Sequence, residues 1–228
     1  VELTGSYRTV LPHHLLGKYA FLEVRNAAAV LQASNAGCFA DVVAVLDDFF
    51  IYDDDITVAG GNRSTIPQRL DGAFFDLGWN AVRVDTEFKL HGKMKQHYTN
   101  RAYTHSFLDS LVANKGYEVD NMKDRVALDV EWNAKDGNLD RDLTAYRMLY
   151  DLGLIDCAVI ILRDYQGILD LANIDLRDHE AARRLGTNTG TTVQKLQDRL
   201  TRGDGGGCPV LAVGMTRATW AGLGVPIP

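Results

Sequence analysis

The chain has 228 residues and a formal net charge of −6. Hydrophobic residues make 46% and charged residues 24%, the ordinary globular range. That length suits one domain, or one domain with a small lobe, and buries a sizeable core without disulfide staples. No apolar run reaches the roughly 20 residues of a membrane span, and no basic-then-apolar leader opens the sequence. The three cysteines, Cys38, Cys157 and Cys208, are widely spaced and form no CxxC pair, which gives a structural zinc site little support. The expectation is a soluble, reduced, cytoplasmic protein. The negative charge argues mildly against a nonspecific nucleic-acid binder, but not against an enzyme that gathers carboxylates around a metal.

Residues 19–33 are apolar without a clean period, so helix and strand both stay open there. Residues 38–50 read as a helix, with Phe39, Val42, Val43 and Leu46 on one stripe. A polar connection is expected over 52–63, its Asp53, Asp54 and Asp55 forming a solvated turn. A second helix follows, with Ser64 as N-cap, Pro67 in the first turn, Ile66, Leu70, Phe74 and Leu77 on one face, and Gly78 as the stop. Residues 81–90 alternate like a strand, whereas 92–115 are polar and basic and stay unassigned. Residues 117–132 read as two strands around a turn near Lys123 and Asp124. A helix from Leu139 to Leu152 carries a stripe of Leu139, Leu143, Tyr146 and Tyr150, suited either to the core or to a dimer seam. The runs 155–162 and 208–215 suit strands buried on both faces, and 192–200 suits a short helix. Strands and helices alternate, so the fold class is α/β with a mixed central sheet flanked by helices.

The chemistry concentrates in DNMKDRVALDVEWNAK, residues 120–135. Asp129 and Glu131 are two apart on a strand and leave the same face. A two-residue turn at Asp124 and Arg125 places Asp120 directly opposite Asp129. Three carboxylates converging there would raise one another's pKa, and a divalent cation removes the conflict. Such oxygen donors suit Mg²⁺, which can activate water and stabilise charge on a phosphate. Asp120 and Asp129 would be ligands. Glu131 would orient or deprotonate the water, or join the metal. Lys135 is near enough in sequence to touch a phosphate. A solvated acidic face is the competing account, since D-x-E alone is a weak signal.

The block VDNMKDRVALDVEW, followed by a helix and IDCAVIIL, resembles the catalytic core of the BglII-type restriction endonucleases, within the PD-(D/E)xK nuclease superfamily. GGNRSTIPQRLDGAFFDLGW upstream and RGDGGGCPVLAVGM near the end keep the family's order, and the likeness covers roughly 60–228 of a single restriction-endonuclease-like domain. The resemblance matches Asp120 to the family's first metal-binding aspartate and Asp129 to the motif's second acid. Glu131 stands where the superfamily usually has lysine and this branch has glutamine or glutamate, which leaves the general base open. The resemblance implies a Mg²⁺-dependent homodimer that cuts a short palindrome in double-stranded DNA, with a cognate methyltransferase protecting the host. It also implies two DNA-reading segments. Asn133, Lys135 and Asn138 lie in the first, and Asn188, Thr189, Thr191 and Thr192 in the second, though the second also suits a loop that caps helix 192–200.

Other features carry less. Gly60 and Gly61 lack the lysine–threonine pair of a P-loop. Glu87 could be a further acid near the metal or a plain outward strand residue. Lys93, Lys95, His97, Arg101 and His105 make a basic patch that suits either DNA backbone or a solvated connection. Other PD-(D/E)xK nucleases, and a relative that binds DNA without cutting it, stay open. A two-carboxylate glycosidase does not fit acids only two residues apart on one strand.

Overall fold

The computed structural model describes residues 1–58, 65–135, 137–187 and 189–227. The chain divides into two compact units, one of residues 1–82 and 119–228 and one of residues 83–118. The first opens with β1 (Leu3–Thr4), α1 (Tyr7–Val10), α2 (His13–Lys18), β2 (Tyr19–Val24), α3 (Ala27–Ser34) and α4 (Ala36–Asp48). Then come α5 (Asp53–Thr57) and α6 (Thr65–Asp76). The strand β3 (Asn80–Met94) begins in this unit and ends in the second, and β4 (His105–Lys123) begins in the second and ends in the first. The chain continues with β5 (Val126–Glu131), α7 (Gly137–Asp151), β6 (Cys157–Arg163), α8 (Tyr165–Asp170), α9 (His179–Leu185), α10 (Val193–Arg202) and β7 (Val210–Met215). The seven strands form one mixed sheet in the order β1-β2-β7-β6-β5-β4-β3. β5, β6 and β7 run parallel, and β2 and β4 flank them antiparallel. The α/β class with a mixed sheet is therefore as expected.

The three parallel strands are buried at every position, which explains their unbroken apolar runs. Val126, Leu128, Val130, Cys157, Val159, Ile161, Leu211, Val213 and Met215 point into the main core with residues of α3, α4 and α6. The alternate positions of β5 and β6 lie on the side that α7 covers. At Gly214 a side chain would strike Val193 of α10 at 2.5 Å, so glycine lets that helix lie close. The three cysteines are buried free thiols. Burial pushes Cys38 up to about 11 and Cys157 up to about 12, and raises Cys208 further still. They pack and stay protonated. No single described helix is long and apolar enough to cross a membrane.

Several expectations change. The ambiguous segment 19–33 is a strand and a helix joined at Arg25 and Asn26, both with positive φ (58° and 53°), so its window mixed two periods. Residues 53–57 are a helix, not a solvated turn, because Asp55 turns inward. It accepts from the Tyr52 N–H at 2.9 Å and pairs with Arg69 and Thr65. Leu77 is exposed: α6 has ended at Asp76, and Gly78 carries the chain away at φ +87°. Gly60, Gly61 and Ser64 lie outside the described residues. The unassigned stretch 92–115 is mostly strand, and Glu87 is an exposed residue of β3 in the second unit.

Candidate active site

The turn between β4 and β5 sets the geometry. Lys123 pairs with Val126 and Asn121 with Leu128, leaving Asp124 and Arg125 as the two turn residues. Asp124 takes φ +48°, which a tight hairpin turn requires and aspartate tolerates. Continuing that register by one pair sets Asp120 across from Asp129, and the Asp120 N–H donates to Asp129 Oδ1 at 2.8 Å. Asp120 itself is exposed, at the rim.

Asp129 and Glu131 leave β5 on its α7 side. Two residues of α7 meet them. Tyr146 Oη donates to Asp129 Oδ2 at 2.6 Å. Asp142, one helical turn before Tyr146, lies in hydrogen-bonding contact with Glu131. Asp129, Glu131 and Asp142 are only 3%, 4% and 2% exposed. Burial pushes the Asp129 carboxyl up to about 7, against the Asp120 N–H and the Tyr146 hydroxyl, which favour its ionised form. Burial also raises Glu131 and Asp142, and the charge of Asp142 adds to the effect on Glu131. Glu131 Oε2 and Asp142 Oδ2 are buried with no hydrogen-bond donor among the described groups. The Arg141 guanidinium reaches both residues, with Nη2 3.0 Å from Asp142 Oδ1 and 3.7 Å from Glu131 Oε1.

A second acid flanks Asp120 from α6. Asp71 Oδ1 accepts from Asn121 Nδ2 at 2.8 Å, and burial together with the charge of Asp120 raises its pKa. Asp71, Trp79, Asp120 and Asn121 line one surface pocket.

The expected acids are thus brought to one end of β5, though not as a ready-made cage. Among the described residues no group of three His, Cys, Asp or Glu side chains is arranged to hold a metal ion. The reason is local. Both Asp129 oxygens already accept hydrogen bonds, and Asp142 and Arg141 are the neighbours that act on Glu131 besides Asp129. The donor chemistry still fits a hard divalent cation, which needs only one or two carboxylates beside water and phosphate oxygens. Asp142 and Asp71 were missed in the sequence. Asp142 had a signal: it stands three residues after Leu139 and four before Tyr146, a charge on the buried stripe of α7.

The two segments matched to DNA reading meet each other. Lys135 pairs with Gly190 as an isolated bridge, and the Thr191 N–H donates to Ala134 O at 3.0 Å. Asn133, Lys135 and Thr189 are exposed. Thr191 and Thr192 are buried. Thr191 Oγ1 donates to Glu131 O at 2.9 Å, and Thr192 Oγ1 caps α10 by accepting from the Lys195 N–H at 3.3 Å. Asn138 is not a loop residue but part of the first turn of α7, its N–H donating to Lys135 O. Asn188 lies outside the described residues. Beneath this loop Arg163 is buried, with Nε 3.4 Å from Thr191 O. Of the α7 stripe, Leu139, Leu143 and Tyr146 are buried inside the chain and Tyr150 is half-buried, so core packing accounts for most of it.

No curated protein matches the chain. A family model for the restriction endonuclease BglII/BglIII matches residues 19–215, a span that contains every element from β2 to β7 and all the acids described above. The chain belongs to the BglII/BglIII restriction endonuclease family, a family of DNA nucleases.

Proposed function

We propose that the protein is a type II restriction endonuclease that acts as a homodimer on a short palindrome in double-stranded DNA, with Mg²⁺ as its cofactor. It works in the cytoplasm beside a cognate methyltransferase. One observation carries the reading: Asp129 and Glu131 are buried acids on the same side of β5, with Asp120 in register opposite, within the span matched to the family. Glu131 keeps a buried oxygen without a donor, which catalytically inert carboxylates seldom do.

In this reading Asp120 and Asp129 hold Mg²⁺, with Glu131 beside them. The ion, when bound, lowers the pKa of water and stabilises charge on the phosphate. Tyr146 and the Asp120 N–H fix the Asp129 carboxylate from its two sides. Glu131 accepts the proton of the attacking water. Water oxygen bonds to phosphorus, the bond from phosphorus to the 3′ oxygen breaks, and that oxygen leaves as a hydroxyl after gaining a proton. Asn133, Lys135 and Thr189 meet the DNA from the paired loops, with Asn138 at the start of α7 beside the first, and Thr191 and Thr192 hold the second loop in place; Asn188 keeps the DNA-reading role that the resemblance gives it. Glu87 has no role in this scheme.

Unmethylated plasmid and genomic DNA, incubated with purified protein in Mg²⁺ and in EDTA, test the proposal. Discrete Mg²⁺-dependent fragments with a common end sequence are expected. A smear would replace the site-specific enzyme by a nonspecific or structure-selective nuclease, and intact DNA across diverse genomes would contradict cleavage.

A further inference from the structure

Thr189, Gly190 and Thr191 lie against the end of β5 and are stitched to it at three points. Gly190 pairs with Lys135 as an antiparallel bridge, the Thr191 N–H donates to Ala134 O at 3.0 Å, and Thr191 Oγ1 donates to Glu131 O at 2.9 Å. β5 ends at Glu131, and Asn133 turns the chain at φ +55°. Beyond Glu131 the backbone therefore leans on this loop rather than on the ladder of the sheet. Thr191 is fully buried, so water does not compete for its bonds. The loop in turn rests on a buried cation. Arg163 ends β6 and is 2% exposed, with Nε 3.4 Å from Thr191 O and no carboxylate partner among the described residues. A side chain at Gly190 would strike Arg163 Nη2 at 2.6 Å, so only glycine lets the loop sit this low. A guanidinium cannot shed its charge, and holding it under the loop with one long bond costs free energy. An anion at the loop surface recovers part of that cost, because the charge beneath it is poorly screened. A DNA phosphate beside the exposed Lys135 and Thr189 is such an anion.

We propose that Thr191 is a positioning residue that makes the placement of Glu131 depend on DNA seating this loop, with Arg163 as the buried charge that draws the phosphate to it. The inference rests on the nuclease reading of the site and adds a link between reading and cutting. With the loop seated, the Thr191 hydroxyl and N–H hold the backbone on both sides of Trp132, and the Glu131 side chain starts from a fixed peptide. With the loop lifted, Glu131 O loses this donor and the end of β5 can shift. Attack by water is sensitive to displacements of that size. DNA that fits the loop badly would still bind elsewhere on the chain, but would leave Glu131 poorly placed.

Single-turnover cleavage by the full-length chain in Mg²⁺ tests this on two duplexes, one with the site found by end sequencing and one with a single base pair of it changed. Duplex binding is measured beside it in Ca²⁺. Thr191→Val keeps the branched shape and removes the hydroxyl. It is expected to lower the ratio of cognate to altered-site rates by about 10–10²-fold, while the dissociation constant of the cognate duplex stays within about threefold. Thr191→Ser keeps the hydroxyl and should recover most of the ratio. Gly190→Ala pushes the loop off Arg163 by a separate route and should lower the ratio in the same direction. Thermal melts show whether Thr191→Val has folded; if it has not, Gly190→Ala decides. Equal losses on both duplexes, a loss confined to binding, or no recovery in Thr191→Ser would overturn the proposal while leaving the nuclease standing. A wild type that cuts DNA without a preferred site would also overturn it. A wild type that cuts no DNA would remove both.

Discussion

Two corners of the sheet bury carboxylates, and they do so in opposite ways. On β2, Glu23 is 0% exposed. It is saturated with donors: the N–H groups of Ser6, Tyr7 and Ala28 and the Ser6 hydroxyl all point at it. It ties the start of α1 and the start of α3 to the sheet, as an anion at helix N-termini should. At the end of β5, Glu131 is equally hidden. It has one guanidinium at 3.7 Å, another acid in contact and an oxygen with no donor. Burial is common to both corners; the number of donors is not. Glu23, with four donors, is part of the fold, whereas Glu131, left short, carries a cost that a ligand or a reaction can recover.

The same chemical change should therefore have opposite results at the two corners. Glu131→Gln is expected to lower single-turnover DNA cleavage by about 10²–10⁴-fold, the scale of a lost general base. It should not lower the melting temperature, because burial already favours the uncharged side chain, which the amide resembles. Glu23→Gln is expected to cost roughly 2–4 kcal/mol of stability, since an amide turns donors toward N–H groups that need an acceptor. Its cleavage rate, measured below the melting transition, should stay close to that of the wild type. A reversal of either result would break the distinction.

The pH dependence follows from Asp129. Its carboxyl titrates at about 7 in the folded chain against about 4 when unfolded. Between those values the folded state holds a proton that the unfolded state has released. Stability from this group is thus complete below about pH 4, falls as pH rises, and levels off above about pH 7, a change of a few kcal/mol at most. Melts across pH in EDTA should show the decline, and Asp129→Asn should flatten it. Cleavage should show the opposite trend, rising with pH as the ligand ionises, with a midpoint below that of the metal-free chain because a bound cation favours the ionised acid. A smaller effect is expected from Tyr146→Phe. Losing its hydrogen bond to Asp129 costs about 1 kcal/mol and moves the midpoint of the pH–rate profile upward, because that bond favours the ionised acid. An unmoved midpoint would make Tyr146 a packing residue only.

The β4–β5 hairpin and its acids were legible in the sequence because two constraints agree there. Alternation fixes which side Asp129 and Glu131 leave, and the turn at Asp124 and Arg125 fixes the register that sets Asp120 opposite. The runs that became β6 and β7 were legible because burial on both faces leaves no polar position. What sequence could not give is contact across elements. Asp142 reads as one of several charges on α7 until Leu139 and Tyr146 are seen to share its buried side. Asp71 joins Asp120 only through the packing of α6 beside β4 and its bond to Asn121. Thr191 and Thr192 suited both DNA reading and capping, and the structure spends their hydroxyls on Glu131 O and the start of α10. The segment 92–115 carried little pattern because its strands have most residues exposed, so no core imposes one.

The most direct test of the proposed role of the β5 acids separates cutting from binding in one variant. Asp129→Asn keeps the size of the side chain and an acceptor for Tyr146. Single-turnover cleavage in Mg²⁺ and duplex binding in Ca²⁺ would be measured on the wild type and this variant, on DNA carrying the site found by end sequencing. The account predicts cleavage reduced by about 10³-fold or more, with binding retained. Cleavage within a fewfold of the wild type would contradict the assignment of the β5 acids as the catalytic centre.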